Sequence, residues 1–206
     1  MYPDILIICG PSGAGKGTVI SHLMEDERLW LSRSVTTRQP RPGESRGVHY
    51  DYITMEDFIA QRDKNELAEW NIYNNCGYGT PAAPLLAAWR ESKTAVLDID
   101  INGVRQIFER FHDRNVKCIF LVPDSRDDLK TRLINRGDDP ADVDRRVGHA
   151  DREYGEVARR LPFINAIVNN TAGNPGVAVT AIRRMMETGV WDEDRMDIVQ
   201  AFLAVV

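Results

Sequence analysis

An α/β fold with a parallel sheet flanked by helices is what this 206-residue sequence predicts. Three observations carry that expectation. Apolar runs stand at 5–9, 94–100, 116–123 and 163–170, short and β-branched as strands buried on both faces are. Stretches with helical spacing separate them, the alternation that strand–helix–strand units produce. A glycine-rich segment, Gly10-Pro11-Ser12-Gly13-Ala14-Gly15-Lys16-Gly17-Thr18, joins the first run to the first helix.

The elements follow in order. Ile5-Leu6-Ile7-Ile8-Cys9 reads as the first strand. After the glycines, Val19, Ile20, Leu23 and Met24 fall at helical spacing. Residues 31–54 are rich in Pro, Gly, Arg and Thr and read as short extended segments with turns. Residues 55–65 look helical, with Thr54 placed to cap them, and 67–81 are again extended and turn-rich. Residues 34–80 therefore interrupt the rhythm and read as an inserted lobe. The rhythm resumes at 94–100 and continues with a helix over 102–113 and a strand over 116–123. A helix over 125–137 has Ser125 as N-cap and Gly137 as stop, and a charged helical stretch covers 139–161. A strand at 163–170 and a helix at 175–188 complete the body. The apolar content of the 190–206 tail predicts a terminal helix docked on it.

Composition narrows the function classes. With 43% hydrophobic residues the chain can bury one sizeable core. A net charge of −5 and a pI near 5.4 disfavour general nucleic-acid binding, so an anionic ligand must be held by local basic clusters. Cys9, Cys76 and Cys118 form no C-x-x-C, and the four histidines lack metal-ligand spacing, so neither a disulfide framework nor a zinc site is expected. No leader precedes the first strand and no apolar stretch approaches the length of a membrane span, so a cytoplasmic protein without membrane or nucleic-acid partners is expected.

The glycine segment has a physical reading. Glycines let the backbone aim several N–H groups at one point, and the following helix adds its unpaired N–H groups and dipole. Lys16 supplies a full charge for the β- and γ-phosphates. The hydroxyl that usually follows the lysine arrives one residue later, at Thr18, behind Gly17. A second constellation gathers Ser34, Arg38, Arg41, Glu44 and Tyr50. Two arginines three apart can fork onto one phosphate. Glu69, Tyr78 and Thr80 follow. Asp98 and Asp100 stand at the end of a buried strand, where ligands of parallel sheets sit.

The segments GPSGAGKGT, SVTTRQPRPGE, GVHYDY, EW…YGT and LDIDINGVRQI stand in the order found in guanylate kinases, and from residue 5 to residue 183 the chain resembles that family. The resemblance implies a phosphate-loop kinase core (1–33, 81–125 and 158–206), a GMP-binding lobe (34–80) and a helical lid (126–157). It implies Mg²⁺-dependent transfer of the ATP γ-phosphate to GMP or dGMP. Gly10 to Thr18 and Asn169 would hold ATP. Ser34, Arg38, Arg41, Glu44, Tyr50 and Tyr78 would hold the GMP phosphate and its surroundings. Glu69 and Thr80 would read guanine, with Asp98 and Asp100 beside them. Thr18 and Asp98 would attend Mg²⁺, the latter through water. Lys16, Arg38, Arg132, Arg136 and Arg146 would stabilise the transferring phosphoryl group.

Two rival readings share these motifs. One is a catalytically silent guanylate-kinase-like interaction domain, which typically loses the loop lysine and lid arginines that this chain has. The other is a small kinase for a phosphorylated sugar, against which Glu69 and the YGT segment speak. The chain also departs from the family at Asn74-Asn75-Cys76-Gly77 and at Leu121–Ser125, and the acidic tail is left unexplained by the motifs. Cys76 beside the substrate would make activity thiol-sensitive.

Overall fold

The computed structural model describes residues 2–40, 44–45, 47, 50–73, 75–159 and 161–204. A five-stranded sheet runs through its centre in the order β2-β7-β1-β8-β9, every neighbouring pair parallel. The strands are β1 (Ile5–Cys9), β2 (Leu29–Leu31), β7 (Thr94–Asp98), β8 (Val116–Val122) and β9 (Ala166–Asn169). All five residues of β1 are fully buried, because both sheet faces are covered. Ile5, Ile7 and Cys9 face one apolar cluster, and Leu6 and Ile8 the other. The period of two along β1 thus divides its side chains between two cores.

Helices α1 (Lys16–Leu23) and α7 (Pro175–Thr188) pack on the face of Leu6 and Ile8. Helices α3 (Ala82–Arg90), α4 (Ile101–Arg110), α5 (Arg126–Asn135), α6 (Pro140–Ala158) and α8 (Met196–Leu203) contribute to the other. Two expected caps form. The Thr54 hydroxyl accepts from the Asp57 N–H at the start of α2 (Met55–Asp63), and Ser125 accepts from Asp128 N–H at the start of α5. Gly137, with φ 86°, ends the chain's turn out of α5.

A second sheet, in the order β4-β3-β6-β5, is built by β3 (Val35–Thr36), β4 (Asp51–Tyr52), β5 (Leu67–Tyr73) and β6 (Cys76–Pro81). Val35, Phe58 and Leu67 form its own small core. Helix α4 fastens this sheet to the central one. Gln106 exchanges two hydrogen bonds with the Trp70 backbone, at 3.1 and 2.8 Å, and so satisfies an otherwise unpaired edge. Arg110 adds a bond to the Leu67 carbonyl.

Two elements depart from the sequence reading. The central sheet has a fifth strand, β2, and the helical rhythm resumes at α3 rather than at residue 94. At three residues, β2 is too short to show alternation. Helix α3 carries Pro84 in its first turn, where a missing N–H costs nothing because no helical acceptor exists for it. Helix α1 also begins earlier than its apolar pattern, at Lys16.

The tail docks as expected. Met196, Ile198, Val199 and Phe202 of α8 are buried, and the Phe202 ring stacks on Tyr154 of α6, 4.0 Å apart and 7° from parallel. Just before α8, the Ile167 N–H donates to the Glu193 carbonyl, and Arg195 N–H to the Ile167 carbonyl, which pairs the outer edge of β9. Phe202→Ala removes a ring that is 2% exposed. It is expected to cost about 3–5 kcal/mol, read as a shift in the urea midpoint with the slope unchanged.

Candidate active site

The glycine segment turns at the carboxyl end of β1. Gly10 has φ 139°, and a Cβ there would lie 2.5 Å from the Leu121 carbonyl oxygen, so only glycine lets the two backbones approach. Gly15, with φ 85°, is the residue before α1, and Lys16 opens the helix. The first-turn N–H groups of α1 therefore point into the loop's mouth. The Lys16 ammonium donates to the Gly10 carbonyl at 2.7 Å and to the Pro11 carbonyl at 3.4 Å, and stands 3.9 Å from the Asp98 carboxylate.

A cavity of about 560 Å³ opens over this loop, lined among others by Ser12, Lys16, Thr18, Asp98, Arg132 and Arg136. Arg132 is held by Asp128, 2.7 Å away, and donates to the Asn170 carbonyl at 2.7 Å. Arg136 lies just past the last residue of α5. It pairs with Asp138 and donates to Ser12 Oγ at 3.3 Å. Arg146 of α6 reaches the same Ser12 Oγ at 3.0 Å and Asp138 at 3.0 Å. Ser12 at the loop's tip is thus bracketed by two arginines that share one carboxylate.

A second cavity, of about 260 Å³, adjoins the first at Lys16 and Asp98 and runs back to the second sheet. At its far end Glu69 is 5% exposed and accepts from the Thr80 hydroxyl at 2.6 Å, while Ser34 Oγ is 3.4 Å from Thr80 Oγ1. A Cβ on Gly103 would lie 2.6 Å from Glu69 Oε2, so α4 comes close enough to bury the acid because residue 103 is glycine. Burial raises the Glu69 pKa to about 7, with the Thr80 bond opposing and Asp100 reinforcing. Asp100 caps α4, accepting from Asn102 and Gly103 N–H at 2.9 Å each, and accepts from Asn71 Nδ2 at 2.6 Å. The cleft walls raise the Asp98 pKa, opposed by the Lys16 ammonium.

Arg38 and Glu44 form a two-bond ion pair at 2.7 and 2.8 Å, joined by the Tyr52 hydroxyl, which donates to Glu44 at 2.9 Å. Arg38 lies 5.2 Å from the Tyr50 ring centre, and Tyr50 and Tyr78 meet edge to face at 6.2 Å. Glu44 therefore contacts Arg38 and orients it, and Tyr50 and Tyr78 line the cavity. Arg41 and Asn74 lie outside the described residues. Asn169, expected from the resemblance to hold ATP, closes β9. Its amide donates to Asp124 at 2.9 Å, and the residue facing the loop is Asn170, whose Nδ2 donates to the Ala14 carbonyl at 2.7 Å. Asn169 ends β9, so its side chain and that of Asn170 point to opposite sides.

Several cleft residues were not singled out from the sequence. Asn71 and Tyr73 share the cavity face of β5 with Glu69, a period of two that points to them once Glu69 is known. His149 and Glu153 share one face of α6 with the expected Arg146, at helical spacing. Asp128 and Asp138, which hold the arginines, carried no motif signal.

Thr18 on the first turn of α1 and Asp98 at the end of β7 bring a hydroxyl and a carboxylate to the loop cavity. Such hard oxygen donors suit Mg²⁺, which keeps waters and takes phosphate oxygens for most of its shell. No cluster of three or more His, Cys, Asp or Glu side chains fit to hold a metal occurs among the described residues.

A parallel sheet with a glycine loop, lysine and helix N-terminus at its carboxyl edge defines a phosphate-loop nucleotide-binding protein of the small kinase type. The guanylate kinase family model matches residues 2–188, and the chain belongs to that family. It is 37% identical to the guanylate kinase of Streptomyces coelicolor over 82% of this chain and 84% of the other. It is 40% identical to that of a Chelativorans species over 86% and 81%, and 37% identical to that of Lactobacillus johnsonii over 89% and 87%. The crystal structure of guanylate kinase from Anaplasma phagocytophilum shares the fold, with a TM-score of 0.72 at 23% identity over 92% of this chain and 87% of that one. The edge-pairing tail and α8 lie beyond the matched family domain.

The pH dependence of stability follows from the raised acids. Glu69 and Glu153 both titrate near 7 when folded, above their ordinary value of 4.5. The folded state then binds more protons than the unfolded one between those values, so stability is greatest below pH 4.5 on this account and falls as pH rises to 7. Urea titrations of the ligand-free protein at pH 5 and pH 8 are expected to show a lower midpoint at pH 8. Glu69→Gln is expected to shrink that difference.

Proposed function

We propose that this protein transfers the γ-phosphate of ATP to GMP, and to dGMP, releasing ADP and the nucleoside diphosphate. The observation that carries this reading is the pairing of two ends in one cleft. The glycine loop, Lys16 and three arginines gather at one end, and the buried Glu69–Thr80 pair stands at the other. A carboxylate accepts from the N1–H and exocyclic amine of guanine. Adenine offers no such pair of donors, so it would leave the buried Glu69 with only the Thr80 hydroxyl.

In this division of labour the lobe at 34–80 binds GMP, the lid at 126–157 covers ATP, and the remaining chain is the core. Arg38, oriented by Glu44, and the Tyr50 and Tyr78 hydroxyls hold the acceptor phosphate, with Arg41 as an expected partner. Lys16 and the loop N–H groups hold the donor phosphates. Arg132, Arg136 and Arg146 balance the charge that spreads over the transferring group's equatorial oxygens. Mg²⁺, when bound with ATP, neutralises phosphate charge beside Thr18 and Asp98. No general base is needed, because the acceptor is already an anion, and transfer is direct and in line. Asp128 and Asp138 fix the arginines before the reaction, so little reorganisation remains for the transfer step. The presence of Lys16 and all three lid arginines around the loop speaks against the silent interaction-domain reading.

The test is a coupled ADP-release assay with Mg-ATP and GMP, AMP, CMP or UMP. Turnover is expected with GMP, lowered about 10²–10³-fold in Lys16→Ala by analogy with loss of a charge-stabilising group. Glu69→Ala is expected to raise KM for GMP about ten-fold or more. Equal turnover with AMP would overturn the guanine assignment. No turnover with any nucleotide in folded, Mg²⁺-replete protein would favour the silent domain.

The acid also sets a pH profile. Ionised Glu69 accepts from guanine and protonated Glu69 does not, so KM for GMP is expected to fall as pH rises from 6 to 8. Steady-state kinetics across that range, with Glu69→Gln losing the trend, checks the assignment.

A further inference from the structure

Helix α6 turns Arg146, His149, Ala150 and Glu153 into the cavity that also holds Glu69. Glu153 is the acid on that face. Its Oε2 is buried and has no hydrogen-bond partner among the described residues. Lys16 and Asp100 line the same cavity as Glu153. Lys16 marks the phosphoryl end of the cleft. Asp100, bonded to Asn71 beside Glu69, marks the base end. In a nucleoside monophosphate the sugar spans that interval.

A buried acceptor left unpaired forfeits the hydrogen bonds that water gives it in the unfolded chain. A donor that arrives with the ligand restores one. The neighbouring cations are already engaged: Lys16 with Gly10 and Asp98, and Arg146 with Ser12 and Asp138. Phosphate oxygens are acceptors and repel a carboxylate. The guanine donors face Glu69. The donors left on the nucleotide are its ribose hydroxyls.

We propose that Glu153 binds a ribose hydroxyl of the acceptor nucleotide from the lid side. This rests on the GMP-kinase reading given above. The choice of a hydroxyl has a further support. Burial brings the Glu153 pKa to about 7, so both protonation states are populated near neutrality. A hydroxyl donates to the ionised acid and accepts from the neutral one, so it satisfies either state. Glu153 thereby ties lid position to the presence of a sugar between base and phosphate.

The test is a binding cycle by calorimetry with the full chain, using GMP, 2′-deoxy-GMP and 3′-deoxy-GMP against wild type, Glu153→Ala and Glu153→Gln. Wild type is expected to bind GMP about ten-fold tighter than one of the two deoxy analogues. In Glu153→Ala that preference is expected to fall to near one, with affinity for the analogue unchanged. Glu153→Gln, which keeps the shape and one acceptor, is expected to retain part of it and guards against misfolding of the alanine variant. Equal weakening for all three nucleotides, or an unchanged preference in both variants, overturns the assignment. Binding that behaves as expected in a protein without turnover would instead leave the ribose contact standing and remove the kinase reading.

Discussion

The close passage of Gly10 past the Leu121 carbonyl is the constraint on which the cleft depends. Strand β1 is buried on both faces, so its position is fixed by packing from two sides. Where it ends, the chain must leave the sheet within one residue of β8, and only a residue without Cβ fits. The turn that follows sets the origin of α1, and with it the direction of the helix's unpaired N–H groups. Lys16 then meets Asp98, because β7 is the neighbour of β1 in register: Ile8 lies opposite Asp98. The position of the charge pair is thus a consequence of strand pairing, not of loop chemistry.

Around this origin the protein places more acids than a phosphate site needs. Their roles separate by partner. Asp128 and Asp138 hold arginines, and Glu44 holds Arg38. An arginine fixed by a carboxylate arrives oriented, and its remaining N–H groups face the ligand. Glu69 and Glu153 are different. No cation pairs with either in the described structure, and burial raises both to about 7. Acids that hold cations stay ionised and build the walls. Acids without them leave hydrogen-bonding capacity open in the cleft.

The sequence was most legible where a property is local. The glycine loop, the Thr54 and Ser125 caps and the buried run of β1 each follow from a few adjacent residues. The class of fold followed from their alternation. What escaped depended on tertiary neighbours. The three residues of β2 are a strand only because β7 pairs with them. Asp138 has no motif, and becomes part of the site because Arg136 and Arg146 converge on it from either side of a turn. Asn169 and Asn170 are identical in type and adjacent, so only the end of β9 decides which faces the loop. Asn71 was readable in principle, since the alternation from Glu69 points to it, whereas exposed Trp70 and Ile72 mark the opposite face.

Helix α6 joins these two kinds of information along a single element. Val143, Val147, Ala150, Tyr154 and Val157 form its buried stripe, the ordinary spacing of a helix on a core. Arg146 and Glu153 flank that stripe and face the cleft. Seven residues apart, they lie on the same side of it, so a small rotation of the helix would carry both together, and the packing of the stripe decides the site's electrostatics. The stack of Phe202 on Tyr154, next in chain to Glu153, bears directly on that rotation. Arg126 reinforces it, pairing with Asp151 of α6 and lying 5.5 Å from the Phe202 ring. The tail lies outside the matched family domain, yet it buttresses the helix that brings Arg146 and Glu153 to the cleft.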